Sequence, residues 1–256
     1  MDFEVQKARF DRICARAMRE RHSMGDDGIG TMREKRMHAV IKQYLCEDES
    51  CHEVAVGNTR FVSDVRIGSD AYEVQTGAFY PMQKKIAYYM ERTDLTVTVV
   101  HPISVLRWMC WIDPETKEIT PRKRVGAHEH PADLLPELYC LLPYLQNPRL
   151  KFRLLLLETQ DFRMLDGWSK DRKKGASRYE RVPISLIGEE EFLTPSDFLS
   201  LLPACDLPER FTVKQFSALT KLRGRNAYSA VRVLCALGLL KQTDPVGRSM
   251  AFCRLF

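Results

Sequence analysis

The sequence predicts an α/β protein, a mixed β-sheet flanked by helices, with a small second domain at its C-terminal end. Three observations carry this expectation. Three strand-like runs with tight turns, CHEVAVGN, RFVSDVRIG and DAYEVQTG, lie between two helical patterns. Two longer apolar runs, LTVTVVHPIS and LKFRLLLLETQDFRM, read as buried strands on either side of a further helical stretch. From about residue 195 the texture changes to short helices and a closing pair of strands. The order helix–β–β–β–helix–β belongs to an α/β core.

Composition narrows the class. Apolar residues at 45% and charged residues at 29% mark a globular rather than a disordered chain. The 256 residues suffice for one large domain or two small ones. A net charge of +5 permits a polyanionic partner without demanding one. Positive charge concentrates in PRKR at 121–124 and SKDRKKGASRYER at 169–181. No run approaches the roughly 20 apolar residues that a membrane helix needs, and the acid-bearing start MDFEVQKARF has no signal-peptide pattern. No membrane partner and a cytoplasmic location are therefore expected. The eight cysteines form no C-x-x-C pair, and several sit in apolar runs, which suggests reduced, mostly buried thiols. Cys46, Cys51 and His52 open a zinc pattern that nothing nearby completes.

Along the chain, Phe10, Ile13, Cys14 and Ala17 recur at helical spacing and predict a helix over 3–22. GDDGIG at 25–30 breaks it; the Lys of a phosphate loop is absent and no strand precedes, so a linker is expected. A second helix over 31–45 carries the stripe Met37, Ile41, Tyr44 and Leu45. Glu34 falls in that stripe, one turn before His38. It reads either as an acid favoured by the first turn of the helix or as a carboxylate aimed at a site. PMQKKIAYYMER at 81–92 predicts a helix with Pro near its start. Residues 95–104 predict a strand, 105–119 a hairpin turning at Asp113-Pro114-Glu115-Thr116, and 131–146 a helix. The basic segment after the LLLL strand is expected to be a loop or ribbon.

The stretch SDVRIGSDAYEVQTG places Asp64, Glu73 and Gln75 in a hairpin, although strands disfavour acids. Gly68-Ser69 suits a two-residue type II′ turn, which sets Asp64 opposite Glu73; a four-residue loop sets it opposite Gln75 on the same face, and a three-residue loop breaks that arrangement. In the first two cases all three polar residues share one face, with Phe61, Val65, Ile67, Tyr72 and Val74 on the other. Opposed like charges repel, so the face is either open to water or holds a divalent cation through hard oxygen ligands.

A helix with an acid, then strands carrying Asp-x(n)-Glu-x-Gln, then a helix bearing Lys, resembles the PD-(D/E)XK nuclease superfamily over roughly residues 30–104. The resemblance implies a restriction-endonuclease-like core and metal-assisted phosphodiester hydrolysis. It implies that Asp64 and Glu73, with the Val74 carbonyl, hold one Mg2+ (or Mn2+), and that Glu34 assists it or a second ion. Gln75 stands where most members carry Lys; similar Glu-x-Gln forms occur in a competence-associated group. Gln75 would orient the attacking water, and Lys84 or Lys85, one helix on, would supply the charge at the scissile phosphate.

In the last fifty or so residues, helices over 212–220 and 225–238 flank a turn at Lys221-Leu222-Arg223-Gly224. A two-strand wing tipped near Asp244-Pro245-Val246-Gly247 follows. This resembles the winged helix-turn-helix. It implies that Arg225, Asn226, Tyr228 and Arg232 face DNA from a recognition helix and that Arg248 reaches phosphate from the wing; winged helices also dock proteins or dimerise. The expected organisation is a nuclease-like domain over 1–194, including the N-terminal helix, and a winged helix over 195–256. Lys173, Lys174 and Arg178 in the basic segment are expected to track a nucleic-acid backbone. The expected partner is DNA, and homodimerisation is expected through the N-terminal helix or the winged helix. Trp108 and Trp111, three apart, face opposite sides of a strand, so core packing is expected rather than base stacking. His128 and His130 around Glu129 are read as loop residues. There is no G-x-S-x-G and no dinucleotide fingerprint. The competing class is a non-catalytic DNA-binding or regulatory protein on a degenerate nuclease fold.

Overall fold

A computed structural model describes residues 2–23, 35–126, 129–167, 175–202 and 207–256. Helices α1 (Phe3–Ser23) and α2 (Lys35–Leu45) come first, followed by strands β1 (His52–Ala55), β2 (Val62–Ile67) and β3 (Asp70–Val74). Helix α3 (Gln83–Arg92) leads into the long strand β4 (Thr96–Ile112) and the short β5 (Lys123–Val125). Next come α4 (Leu134–Glu137), a 3-10 segment over Leu138–Tyr144, and the long strands β6 (Leu150–Gly167) and β7 (Gly175–Phe192). The chain closes with β8 (Arg210–Thr212), α5 (Val213–Thr220), α6 (Arg225–Ala236), β9 (Leu240–Val246) and β10 (Ser249–Arg254).

Seven strands form one sheet in the order β1-β2-β3-β4-β6-β7, with β5 added to β4, and β8-β10-β9 form a second sheet. The α/β architecture expected from the sequence is present. The chain gathers into two compact units: Met1–Arg66, Val100–Glu129 and Leu154–Glu190 in the first, Ile67–Val99, His130–Arg153 and Glu191–Phe256 in the second.

In the first unit α1 packs on α2, with Phe10 and Tyr44 edge to face at 5.1 Å. Met18 of α1 and Tyr179 pack on a buried cluster of Cys110, Ile112, Phe162, Met164 and Val182. In the second unit Phe79, Ile86, Tyr89, Val97, Val99 and Leu134 are fully buried. Helix α6 packs on α4, on the 3-10 segment and on α5. Phe211, Phe216 and Phe252 close the small sheet over α5. The Thr212–Gln215 capping box starts α5, and Lys221 in the left-handed region ends it. Gly224 begins α6 at φ 53°, ψ −123°, a conformation open only to glycine.

Several sequence expectations are corrected. Residues 96–112 form one strand; the turn at Asp113, whose Oδ1 accepts the Glu115 and Thr116 N–H groups, follows it, with an Ile112–Ile119 bridge beyond. The helix expected over 131–146 is mainly 3-10, with one α-helical turn over Leu134–Glu137 and Pro143 inside the longer 3-10 stretch. The segment 195–201 is likewise 3-10. The basic segment 169–181, expected as a loop or ribbon, enters the 18-residue strand β7 at Gly175. The C-terminal hairpin turns at Gly247, the last residue of the expected tip, and Pro245 lies inside β9. Of the seven described cysteines only Cys14 and Cys110 are buried, the other five being half-buried. GDDGIG, Cys205 and His128 lie outside the described residues.

Candidate functional site

The hairpin between β2 and β3 has the two-residue turn that its sequence predicts. Of Gly68 and Ser69 only Gly68 has positive φ, at 61°, as type II′ requires. Glu73 on β3 is 3% exposed. A buried carboxylate is costly unless it is paired and hydrogen-bonded, and α3 supplies both partners from positions four apart on one face. Lys85 forms an ion pair with Oε2, and the wholly buried Tyr89 hydroxyl donates to Oε1 at 2.6 Å. The sequence left Lys84 and Lys85 as alternatives; Lys85 meets Glu73, and Lys84 is exposed. The only signal for Tyr89 in the sequence is its spacing of four from Lys85. Gln75 is half-buried, and its Nε2 donates to the Ala78 carbonyl at 2.6 Å, which orients the amide.

Arg149 fastens the end of α3. Its guanidinium donates to the carbonyls of Thr93 and Met90 at 2.6 Å each, Leu95 at 3.1 Å and Tyr89 at 3.5 Å. One planar fork thus satisfies carbonyls that the helix end leaves without partners. Arg149→Ala is expected to lower stability by roughly 1.5–3 kcal/mol, read as a shift of the urea midpoint. Arg149→Lys should recover only a fraction, because an ammonium lacks the planar fork.

In the other unit Asp64 is half-buried on β2, and His38 Nε2 lies 3.2 Å from its Oδ2. One turn further along α2, Lys42 pairs with Glu53 at 2.9 Å. In the sequence His38 is only a landmark for Glu34; the signal for its role is a polar residue beside an apolar stripe. Glu34 itself lies outside the described residues. Among the described residues no group of three or more His, Cys, Asp or Glu side chains is arranged to hold a metal ion, and this includes Cys46, Cys51 and His52. His52 Nε2 instead lies 2.8 Å from the Cys46 carbonyl oxygen.

Lys173 and Lys174 lie outside the described residues, while Arg178 is exposed on β7. Arg225 and Asn226 are exposed at the start of α6, whereas Tyr228 and Arg232 are half-buried. Arg248 is exposed beside the turn at Gly247.

No local pattern in the chain announces the buried charge network of the first unit. Asp161 on β6 is fully buried and accepts from Arg181 Nε at 2.7 Å, with Arg107 Nη1 3.9 Å away. Arg181 also donates to Glu129 at 2.6 Å, and the other Glu129 oxygen accepts the Ser104 N–H at 2.8 Å. Burial pushes the Glu129 carboxyl up, but the Arg181 guanidinium and the Ser104 N–H together outweigh it and hold the group below the ordinary value of 4.5. A lowered acid stabilises the fold above its ordinary value, and that stabilisation disappears as pH falls through the lowered one. Glu129→Gln should therefore flatten the loss of stability in acid, measured by urea unfolding from about pH 6 to about pH 3.

A family model described as a domain of unknown function (DUF8091) matches residues 35–193, which include β1 to β7, Asp64, Glu73 and Lys85. No curated protein and no solved structure matches the chain.

Proposed function

This chain belongs to the DUF8091 family, and from that premise we propose that it is a magnesium- or manganese-dependent deoxyribonuclease of PD-(D/E)XK type, with a C-terminal winged helix. The observation that carries the reading is the buried Glu73 carboxylate on a Glu-x-Gln strand, held by a lysine from the following helix. A carboxylate that takes a cationic group at its oxygen, together with Asp64, has the hard-oxygen donor chemistry that magnesium prefers. Asp64 and Glu73 would hold the metal, with Glu34 as a further donor. Bound there, it would supply Lewis-acid stabilisation and a water of lowered pKa.

The chain's own residues do the rest. Lys85 neutralises Glu73 and brings a fixed positive charge to the place where the scissile phosphate would sit. Gln75, its amide oriented by the Ala78 carbonyl, would position the attacking water without adding charge. His38 would hold the Asp64 carboxylate in place. The β8–α5–α6–β9–β10 module would deliver the core to DNA through Arg225, Asn226 and Arg248, or dock a partner or second copy of the chain.

One observation favours the competing reading of a non-catalytic DNA-binding protein: both Glu73 oxygens are engaged from within the fold. Cleavage of plasmid and of single-stranded DNA with Mg2+ or Mn2+ separates the two. Asp64→Ala alters a half-buried residue, so a folded variant with at least about 100-fold slower cutting supports the nuclease. Absence of cutting by wild type, with DNA binding intact in both proteins, supports the regulator.

A further inference from the structure

The ribbon made by β5 and the outer half of β4 carries an aromatic ring set among guanidinium groups. Trp108 is half-buried on β4, and its indole N–H donates to Glu158 Oε1 at 2.6 Å, which fixes the ring plane. The Arg122 guanidinium lies over that ring, 4.5 Å from its centroid. The antiparallel pairing of β4 and β5 sets Arg124 directly opposite Trp108. Side chains alternate along a strand, so Arg122 and Arg124 project from the same face of the ribbon as Trp108. Arg122, Lys123 and Arg124 are all exposed.

Basic residues on a short strand also discourage unwanted sheet pairing, and an exposed cation over an indole is an ordinary packing contact. Sheet protection asks only for charge, however. It asks neither for an aromatic ring locked by a hydrogen bond beneath one arginine nor for a second arginine across from it. Two exposed arginines beside a half-buried ring on one face of the ribbon are the parts of a stacking platform.

We propose that this ribbon binds single-stranded nucleic acid. An unpaired base stacks on the Trp108 ring or on the Arg122 guanidinium plane, and Arg122 and Arg124 contact the flanking phosphates. Residues two apart on a strand are separated by about 7 Å, two steps of a stacked nucleic-acid strand. A duplex keeps its base faces stacked, so the platform selects an unpaired strand. The turn beyond, with Asp113, Glu115 and Glu118, is acidic and bounds the surface on that side. The proposal names the strandedness of the substrate in the nuclease reading and rests on that reading for the choice of DNA.

The test is fluorescence anisotropy of a labelled oligo-dT of about 16 nucleotides, with its duplex as comparator, in EDTA so that no cleavage occurs. Wild type should bind the single strand more tightly than the duplex. Trp108→Leu should weaken single-strand binding by about 5- to 150-fold, the stacking of one base, while Trp108→Phe keeps most of the affinity. Arg122→Gln with Arg124→Gln should lower the salt slope by about 1.4, two phosphate contacts on a single strand. These two sites are exposed, so that variant decides the matter if Trp108→Leu fails to fold. Unchanged affinity and salt slope in the arginine variant, a preference for duplex, or no binding by wild type overturns the proposal. Binding as expected without metal-dependent cutting overturns the nuclease reading alone.

Discussion

Glu73→Ala is expected to cost about 3–5 kcal/mol of folding stability, because it leaves the Lys85 ammonium beside the Tyr89 hydroxyl with no counter-charge. The same substitution should abolish metal-dependent cleavage, and one variant therefore cannot separate the two effects. Glu73→Gln combined with Lys85→Met can. It removes both charges at nearly constant volume, and replacing a whole buried pair by neutral groups is often close to neutral in stability. The double variant should unfold near the wild-type urea midpoint and still show no cutting. Recovery of stability together with activity would show that Glu73 holds the fold and takes no part in chemistry. Lys85→Met alone should be less stable than the double variant, because it strands the Glu73 carboxylate at 3% exposure.

Asp161→Ala is expected to be as damaging, and for structural reasons only. Arg181 and Arg107 would remain within the sheet without the carboxylate that balances them. The loss should again be about 3–5 kcal/mol, a fall in Tm of roughly 6–20 °C for a chain of this size. Calorimetry checks it, and a loss under about 1 kcal/mol would mean that water replaces the carboxylate without penalty. DNA binding at the Trp108 ribbon should persist in Asp161→Ala below its lowered Tm, because Trp108 and Asp161 alternate onto opposite faces of their strands. Trp108 pairs with Glu158, an odd number of residues from Asp161.

Local signals are legible in the chain. Phe10, Ile13, Cys14 and Ala17 mark α1, which runs over Phe3–Ser23. Gly68-Ser69 marks a tight hairpin turn, and Gly68 takes the positive φ that it calls for. Thr212 and Gln215 mark the start of α5. Each of these depends on a few neighbouring residues and a backbone preference. The strand β7 is hidden in the sequence because it starts inside the basic run SKDRKKGASRYER, which reads as a loop or ribbon, and it contains Pro183. It lies at the end of the strand order, where a residue lacking an N–H can be seated without losing a ladder bond. The apparent helix over 131–146 is mainly 3-10 turns, with Pro143 inside the longest of them.

The residues of the proposed site divide in the same way. The chemistry of Asp64, Glu73, Gln75 and the lysines is visible in SDVRIGSDAYEVQTG and PMQKK, because residue type and strand alternation are sequence properties. Which lysine meets Glu73 is not visible, since Lys84 and Lys85 differ by one 100° step around α3 and only the packed helix selects between them. The partner of Asp64 is likewise decided by how α2 lies beside β2, and it is His38. Asp161 sits in a run that reads as a buried strand, and only the arrival of Arg181 from β7 and Arg107 from β4 makes a charge tolerable there. The sequence by itself determined the α/β class, the turns and the inventory of reactive groups, because these follow from backbone preference and side-chain chemistry over a few residues. Tertiary structure alone decided which charges meet, because pairing across strands and helices is a long-range contact that no local pattern encodes.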